Sequence, residues 1–106
     1  MSARVDGGPE RTPDGRWLVV GGRRWRAADP ALPEDVRTRL LHDLGVARSA
    51  VRSARAAGED TALAAARARV GTAKRGLGER GPAWWDEEPD ARRARWDGAL
   101  ITLDGG

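Results

Sequence analysis

The sequence predicts a small α+β fold, mostly α, in which an N-terminal β-hairpin packs on a long antiparallel two-helix hairpin. Two β-prone runs flank a Gly-Gly pair, and two Ala- and Arg-rich stretches repeat apolar residues at helical spacing. Four of the five tryptophans lie in two short motifs at either end of those stretches. At 106 residues the chain is one domain at most. We predict a flexible tail over 1–15, one domain over 16–88 and a weakly ordered tail over 89–106.

The β-hairpin is predicted over residues 17–26, WLVVGGRRWR. Gly21 and Gly22 can adopt the positive φ angles that a two-residue turn between antiparallel strands requires. This turn fixes the pairing of the two strands: Val20 with Arg23, Val19 with Arg24, Leu18 with Trp25, and Trp17 with Arg26. The hairpin has to dock on other elements, because an isolated two-stranded hairpin is marginal in water.

The pairing also predicts which side chains share a face of the hairpin. Leu18, Val20 and Trp25 lie on one face, which we expect to be buried. Trp17 and Arg26 lie on the other, where they can stack as a cation–π pair.

Two helices are predicted over 33–57 and 60–78. Pro33 suits a first helical turn, and Gly58 suits a helix end followed by a short link, so the helices are expected to be antiparallel. The seam between them mixes leucine and valine with alanine, which buries little area. One hairpin covers this thin seam incompletely, and self-association into a four-helix arrangement is one way to cover it.

The chain after the second helix contains Gly76–Gly81 and then a Trp-Trp segment over 82–88. The glycines match G-x-G-x-x-G, but they follow a helix rather than open one, so we interpret them as its end. Structural anchoring is the expected role of Trp17, Trp25 and Trp84. Trp85 is expected to be more exposed. Because exposed Trp and Arg often anchor interfaces, the predicted partner-binding residues are Trp17, Trp85, Arg24 and Arg26.

Unpaired basic residues form a second candidate site, the arginine ridge along the helical hairpin and the β-hairpin. A basic ridge could contact phosphates. The plainer interpretation is that arginine stems cover a thin alanine core and keep their charges in water. The residues of the ridge are Arg23, Arg24, Arg48, Arg52, Arg67 and Lys74.

Several kinds of chemistry are not expected from this composition. The chain has no cysteine, which excludes thiolate catalysis and disulfides. Its one histidine, His42, is predicted on the solvated side of the first helix, so we expect no metal site. No catalytic constellation stands out, and we expect no cofactor and no enzymatic activity. With neither an apolar run of about 18 residues nor a secretory signal, the expected location is the cytoplasm.

Two motifs resemble a group of small uncharacterised bacterial proteins that are sometimes labelled biopolymer transporter Tol. The motifs are PDGRWLVVGGRRWRAADPAL over 13–32 and GERGPAWWD over 78–86, and the resemblance extends over about 13–88. It implies the same order of a GRW…WRA start, two Ala/Arg helices and a Trp-Trp close. The group supplies no catalytic residues.

These observations together predict a non-enzymatic protein–protein interaction module of the cytoplasm, with homodimerisation as one form of the interaction. The alternative is a nucleic-acid-binding protein that uses the arginine ridge. A protein partner or a second copy is expected in the first case and nucleic acid in the second, with no membrane and no metal in either.

Overall fold

The structure is a computed structural model that describes residues 10–105. It contains a three-stranded antiparallel sheet followed by three helices, which confirms the α+β fold class. The elements are β1 Glu10–Arg11, β2 Trp17–Val20, β3 Arg23–Arg26, α1 Glu34–Ala57, α2 Asp60–Leu77 and α3 Pro89–Gly105, with a 3₁₀ turn at Trp84–Asp86 before α3.

The β-hairpin has the predicted register, with all four cross-strand pairs as expected. Gly21 and Gly22 have φ angles of 56° and 79°, which explains why glycine occupies both turn positions. A third strand, β1, pairs with β2 through Glu10 opposite Val19. The prediction of a flexible tail over 1–15 is therefore wrong for residues 10–15, because Glu10 and Arg11 form β1 and residues 12–15 form the turn that joins it to β2. Residues 1–9 of that predicted tail lie outside the described residues.

The predicted inner and outer faces of the hairpin are reversed. Trp25 and Val20 are 44% and 48% exposed, although we expected both to be buried. The opposite face packs on the rest of the chain, because Trp17 meets the edge of Trp85 at a centroid distance of 5.7 Å. The predicted stacking of Arg26 on Trp17 is also wrong, since the guanidinium over Trp17 is that of Arg24, 4.8 Å from the ring centroid.

The two long helices form the predicted antiparallel hairpin. Gly58 ends α1 in the left-handed conformation with φ 70°, and Gly78 ends α2 with φ 88°. The Gly76–Gly81 stretch therefore terminates a helix, as predicted. The two helices approach each other closely because most of their buried residues are small. The buried residues are Leu40, Leu44, Ala47 and Ala54 on α1, and Ala66, Gly71, Ala73, Gly76 and Leu77 on α2.

Residues 89–105 form α3, so the prediction of a weakly ordered tail over 89–106 is wrong for this range. Trp96, Ala99 and Leu103 recur at helical spacing and are buried in the main core beside Leu40 and Leu77. Burial of this apolar face stabilises α3. The sequence did not predict this helix, because the arginines among these apolar residues are typical of a solvated segment. Gly106 lies outside the described residues.

The approach of α3 to α2 depends on a glycine. A Cβ placed on Gly76 would lie 2.7 Å from the Cβ of Ala99, closer than carbon atoms pack, so no larger residue fits without movement. None of the helices within residues 10–105 is both long and apolar enough to cross a lipid bilayer.

Candidate functional site

A groove between α1 and α2 brings together four arginines around an apolar floor. Its volume is about 470 Å³. We call it the arginine groove, and its lining residues are Arg48, Val51, Arg52, Arg67, Val70 and Arg80. Three members of the predicted arginine ridge, Arg48, Arg52 and Arg67, therefore face one concave surface rather than lie scattered along the helices.

Helical spacing explains how the groove forms. Arg48 and Arg52 are four residues apart on α1, so they are neighbours on one flank of the helix. Arg67 and Val70 are three residues apart on α2 and share a flank in the same way. Val51 and Val70 are partly buried and form the floor.

Arg80 joins the groove from outside the helices, and the sequence analysis missed it. The left-handed turn at Gly78 reverses the chain after α2. The Nη1 atom of Arg80 then lies 3.6 Å from the point that a Cβ on Gly71 would occupy. A side chain at Gly71 would crowd this guanidinium, and the nearby guanidinium of Arg75 lies at 3.5 Å from the same point. Two cations thus converge on the bare backbone of α2.

The positive charge of the groove is not balanced by ion pairs. Within residues 10–105, the arginines that form ion pairs are Arg39, Arg92 and Arg95. None of the four groove arginines has such a partner in that part of the chain. Their guanidinium groups therefore keep their donors available for an external anion.

Lys74 and Glu79 lie close enough to the groove to feel its charges. Burial lowers the pKa of Lys74, and Arg80 and Arg48 lower it further against the opposing effect of Glu79. Burial raises the pKa of Glu79, which outweighs the lowering by Lys74, Arg48 and Arg80. Burial thus favours the neutral form of each group. Glu79 lies near enough to attract Lys74, Arg48 and Arg80, although it forms no ion pair with them among the described residues. Lys74, a member of the predicted ridge, lies near enough to Arg48 and Arg80 to interact electrostatically with these two groove arginines.

The predicted partner-binding residues meet in a second place, the Trp–Arg cluster of Trp17, Trp85, Arg24 and Arg26. Arg26 lies over the Trp85 ring at 5.8 Å, and its Nη1 donates a hydrogen bond to the carbonyl oxygen of Gly81 at 2.7 Å. These contacts fasten the β-hairpin to the Trp-Trp segment, although the Nε of Arg26 is buried without a hydrogen-bond partner among the described residues. The cluster is better suited to anchoring than to capture of a partner.

The other two tryptophans of the predicted motifs, Trp84 and Trp25, differ in their burial. Trp84 is buried, and its Nε1 donates a hydrogen bond to the carbonyl oxygen of Ala27 at 2.9 Å, as its anchoring role predicts. Trp25 was expected to anchor as well, but it lies on the outer face of the sheet with Arg23 stacked at 4.7 Å. Arg23 and Arg24 are thus on the sheet and do not line the arginine groove.

A buried carboxylate that the sequence analysis missed, that of Asp29, joins the β3–α1 connection to α3. The side chain of Asp29 is fully buried and forms ion pairs with Arg92 and Arg95 of α3. Its Oδ1 also accepts the backbone N–H of Ala31 at 2.8 Å, and its own N–H donates to the carbonyl of Leu77 at 2.8 Å. With every acceptor satisfied, this centre is structural.

Positions 10–105 hold no group of three or more acidic or histidine side chains that could bind a metal ion. His42 is exposed on α1. Comparisons of the chain with protein-family models, with curated proteins and with solved structures gave no match.

Proposed function

We propose that the chain is a non-enzymatic interaction module that binds an acidic segment of a partner protein in the arginine groove. The observation that carries this proposal is the convergence of four arginines, without ion-pair partners in the described part of the chain, on one concave surface. In this proposal the module works in the cytoplasm, the location expected from the sequence.

The physical chemistry of guanidinium groups supports an acidic ligand. Each presents donors in a planar fork that matches a carboxylate, and such charge-assisted bonds are stronger than neutral ones. Four like charges around a groove repel one another, and a bound acidic segment relieves that repulsion. Arginine is also enriched among the residues that carry most of the binding energy at interfaces.

A nucleic-acid ligand is a second candidate function, favoured by a different part of the surface. Trp25 is 44% exposed with Arg23 stacked on it, which is a combination that can stack a base and contact a phosphate. This pair lies on the sheet rather than in the groove. The two candidates therefore predict losses of binding from different substitutions.

Substitution of three groove arginines is expected to weaken binding of an acidic polypeptide. The variant Arg48→Gln/Arg52→Gln/Arg67→Gln should bind fluorescein-labelled polyglutamate about tenfold or more weakly at low salt, because three charge-assisted contacts are lost. Fluorescence anisotropy measures the affinity. The matched control, Arg11→Gln/Arg37→Gln/Arg93→Gln, removes the same charge from exposed positions outside the groove and should change the affinity little.

The same titrations decide between the two candidates. An equal loss of affinity for polyglutamate in both triple variants would show that the effect comes from net charge alone. If the unaltered protein does not bind polyglutamate, the proposal is wrong. If a single-stranded oligonucleotide binds instead, and Arg23→Gln/Trp25→Ala lowers its affinity while the groove variant does not, the second candidate replaces the first.

A further inference from the structure

We propose that the occupant of the arginine groove is an acidic amphipathic helix of a partner protein, with an apolar side chain resting on Val51 and Val70. This inference rests on the proposed function and specifies the ligand. Three features of the structure lead to it: the side of the hairpin on which the groove lies, the spacing of its charges and its apolar floor.

The groove lies on the side of the helical hairpin that α3 leaves uncovered. Arg39 of α1 forms an ion pair with Asp104 of α3, whereas Arg48 lines the groove. These positions are nine residues apart, about two and a half turns, so they point to opposite sides of α1. One side of the α1–α2 hairpin thus carries a packed helix, and the other carries a groove between the same two helices.

α3 shows what kind of element this hairpin accepts. It lies along α2 through Trp96, Ala99 and Leu103, three residues on one helical face. A groove between two packed helices favours a third helix, because ridges of side chains fit between those of its neighbours. Recognition of an amphipathic helix by a hydrophobic groove is a common mode of peptide binding.

The spacing of the arginines matches a helix that carries glutamates. Arg48 and Arg52 are one turn apart on α1, about 6 Å along the axis. Glutamates four residues apart on a partner helix have the same separation, so both can pair at once in either direction. Arg67 and Arg80 are available to carboxylates on the other edge of the same helix.

The floor of the groove favours a peptide over nucleic acid. Val51 and Val70 are partly buried but remain accessible between the arginines. A sugar-phosphate backbone brings anions but no apolar group that would cover two valines. A leucine or isoleucine between glutamates brings both, and its burial adds affinity that electrostatics alone does not supply.

The test compares two labelled peptides of about 12 residues, roughly three helical turns. Both carry glutamates at i and i+4. Position i+3, which neighbours this pair on the helix surface, is Leu in one peptide and Gln in the other. The Leu peptide is expected to bind the full chain about tenfold more tightly, the order expected for partial burial of a leucine. In the variant Val51→Thr/Val70→Thr the Leu peptide should lose this advantage over the Gln peptide.

The possible results separate this inference from the function on which it rests. Equal affinities of the two peptides, both reduced by Arg48→Gln/Arg52→Gln/Arg67→Gln, would retain an acidic ligand and overturn the amphipathic helix. Failure of both peptides and of polyglutamate to bind would overturn the proposed function itself. The inference also fails if an oligonucleotide displaces the labelled Leu peptide at a lower concentration than the unlabelled Leu peptide does. A dimer on size exclusion that the arginine variant dissociates would identify the occupant as a second copy of the chain.

Discussion

The variant Asp29→Ala is expected to lower the free energy of unfolding by about 3–5 kcal/mol, as the loss of one partner from a buried ion pair does. Asp29 lies in the β3–α1 connection, and its buried side chain pairs with Arg92 and Arg95 of α3. Alanine would leave the 9%-exposed Arg95 side chain with Glu87 as its remaining carboxylate and Arg92 with no carboxylate among the described residues. Urea unfolding followed by tryptophan fluorescence measures the change.

Asp97→Ala is the matched control, because it removes an exposed carboxylate from α3 and should cost less than about 0.5 kcal/mol. Equal destabilisation by the two substitutions would contradict the role assigned to Asp29. The variant Asp29→Asn retains the size and an acceptor for the Ala31 N–H. It should fall between Asp29→Ala and the unaltered protein if the lost charge accounts for part of the effect.

The same carboxylate predicts a dependence of stability on pH. Burial acts to raise the pKa of Asp29, but hydrogen bonds from Arg92, Arg95 and the Ala31 N–H outweigh it and hold the pKa below the ordinary value of 3.8. A lowered pKa in the folded state stabilises the fold above the unfolded pKa, and this contribution is lost as the pH falls through the folded value. Stability should therefore decline below about pH 4 less steeply in Asp29→Ala than in the unaltered protein.

The variant Trp96→Ala is expected to cost about 3–5 kcal/mol of stability, the range for truncation of a buried aromatic residue. Trp96 is 6% exposed and packs in the core shared by all three helices. Its loss leaves a cavity beside Leu40 and Leu77 and weakens the attachment of α3. Thermal unfolding followed by circular dichroism at a helical wavelength measures the effect.

Ile101→Ala on the same helix provides the comparison for Trp96→Ala. Ile101 is 72% exposed, so its truncation should change the stability by no more than about 0.5 kcal/mol. Similar transitions for the two variants would show that α3 is not packed as described, and would restore the sequence-based prediction of a weakly ordered tail after residue 88.

Elements determined by local signals were predictable from the sequence. The Gly21-Gly22 turn fixed the register of the hairpin, and periodic apolar residues with Gly58 and Gly78 at the ends defined α1 and α2. The prediction of which hairpin face is buried was wrong, because burial depends on where the Trp-Trp segment packs. No local pattern in the hairpin specifies that contact.

α3 and the Asp29 centre were missed because both depend on contacts between distant parts of the chain. Asp29 lies 63 and 66 positions before Arg92 and Arg95, and each of these looks like a solvated residue when taken alone. In the arginine groove, Arg48, Arg52 and Arg67 were predictable from helical spacing. Arg80 was not, because its position depends on the chain reversal at Gly78.

The end of the helical hairpin farthest from α3 has little apolar area to resist opening. Beyond Leu44 on α1 the buried residues are Ala47 and Ala54, and Ala66 faces them from α2. Amide protons there are expected to exchange through local opening of the hairpin, while those near Leu77 exchange only when the whole domain unfolds. The arginine groove extends from the part of the hairpin near Leu77 toward its tip. A ligand that contacts both α1 and α2 would therefore slow exchange at the tip, and part of its binding energy would be used to order the tip.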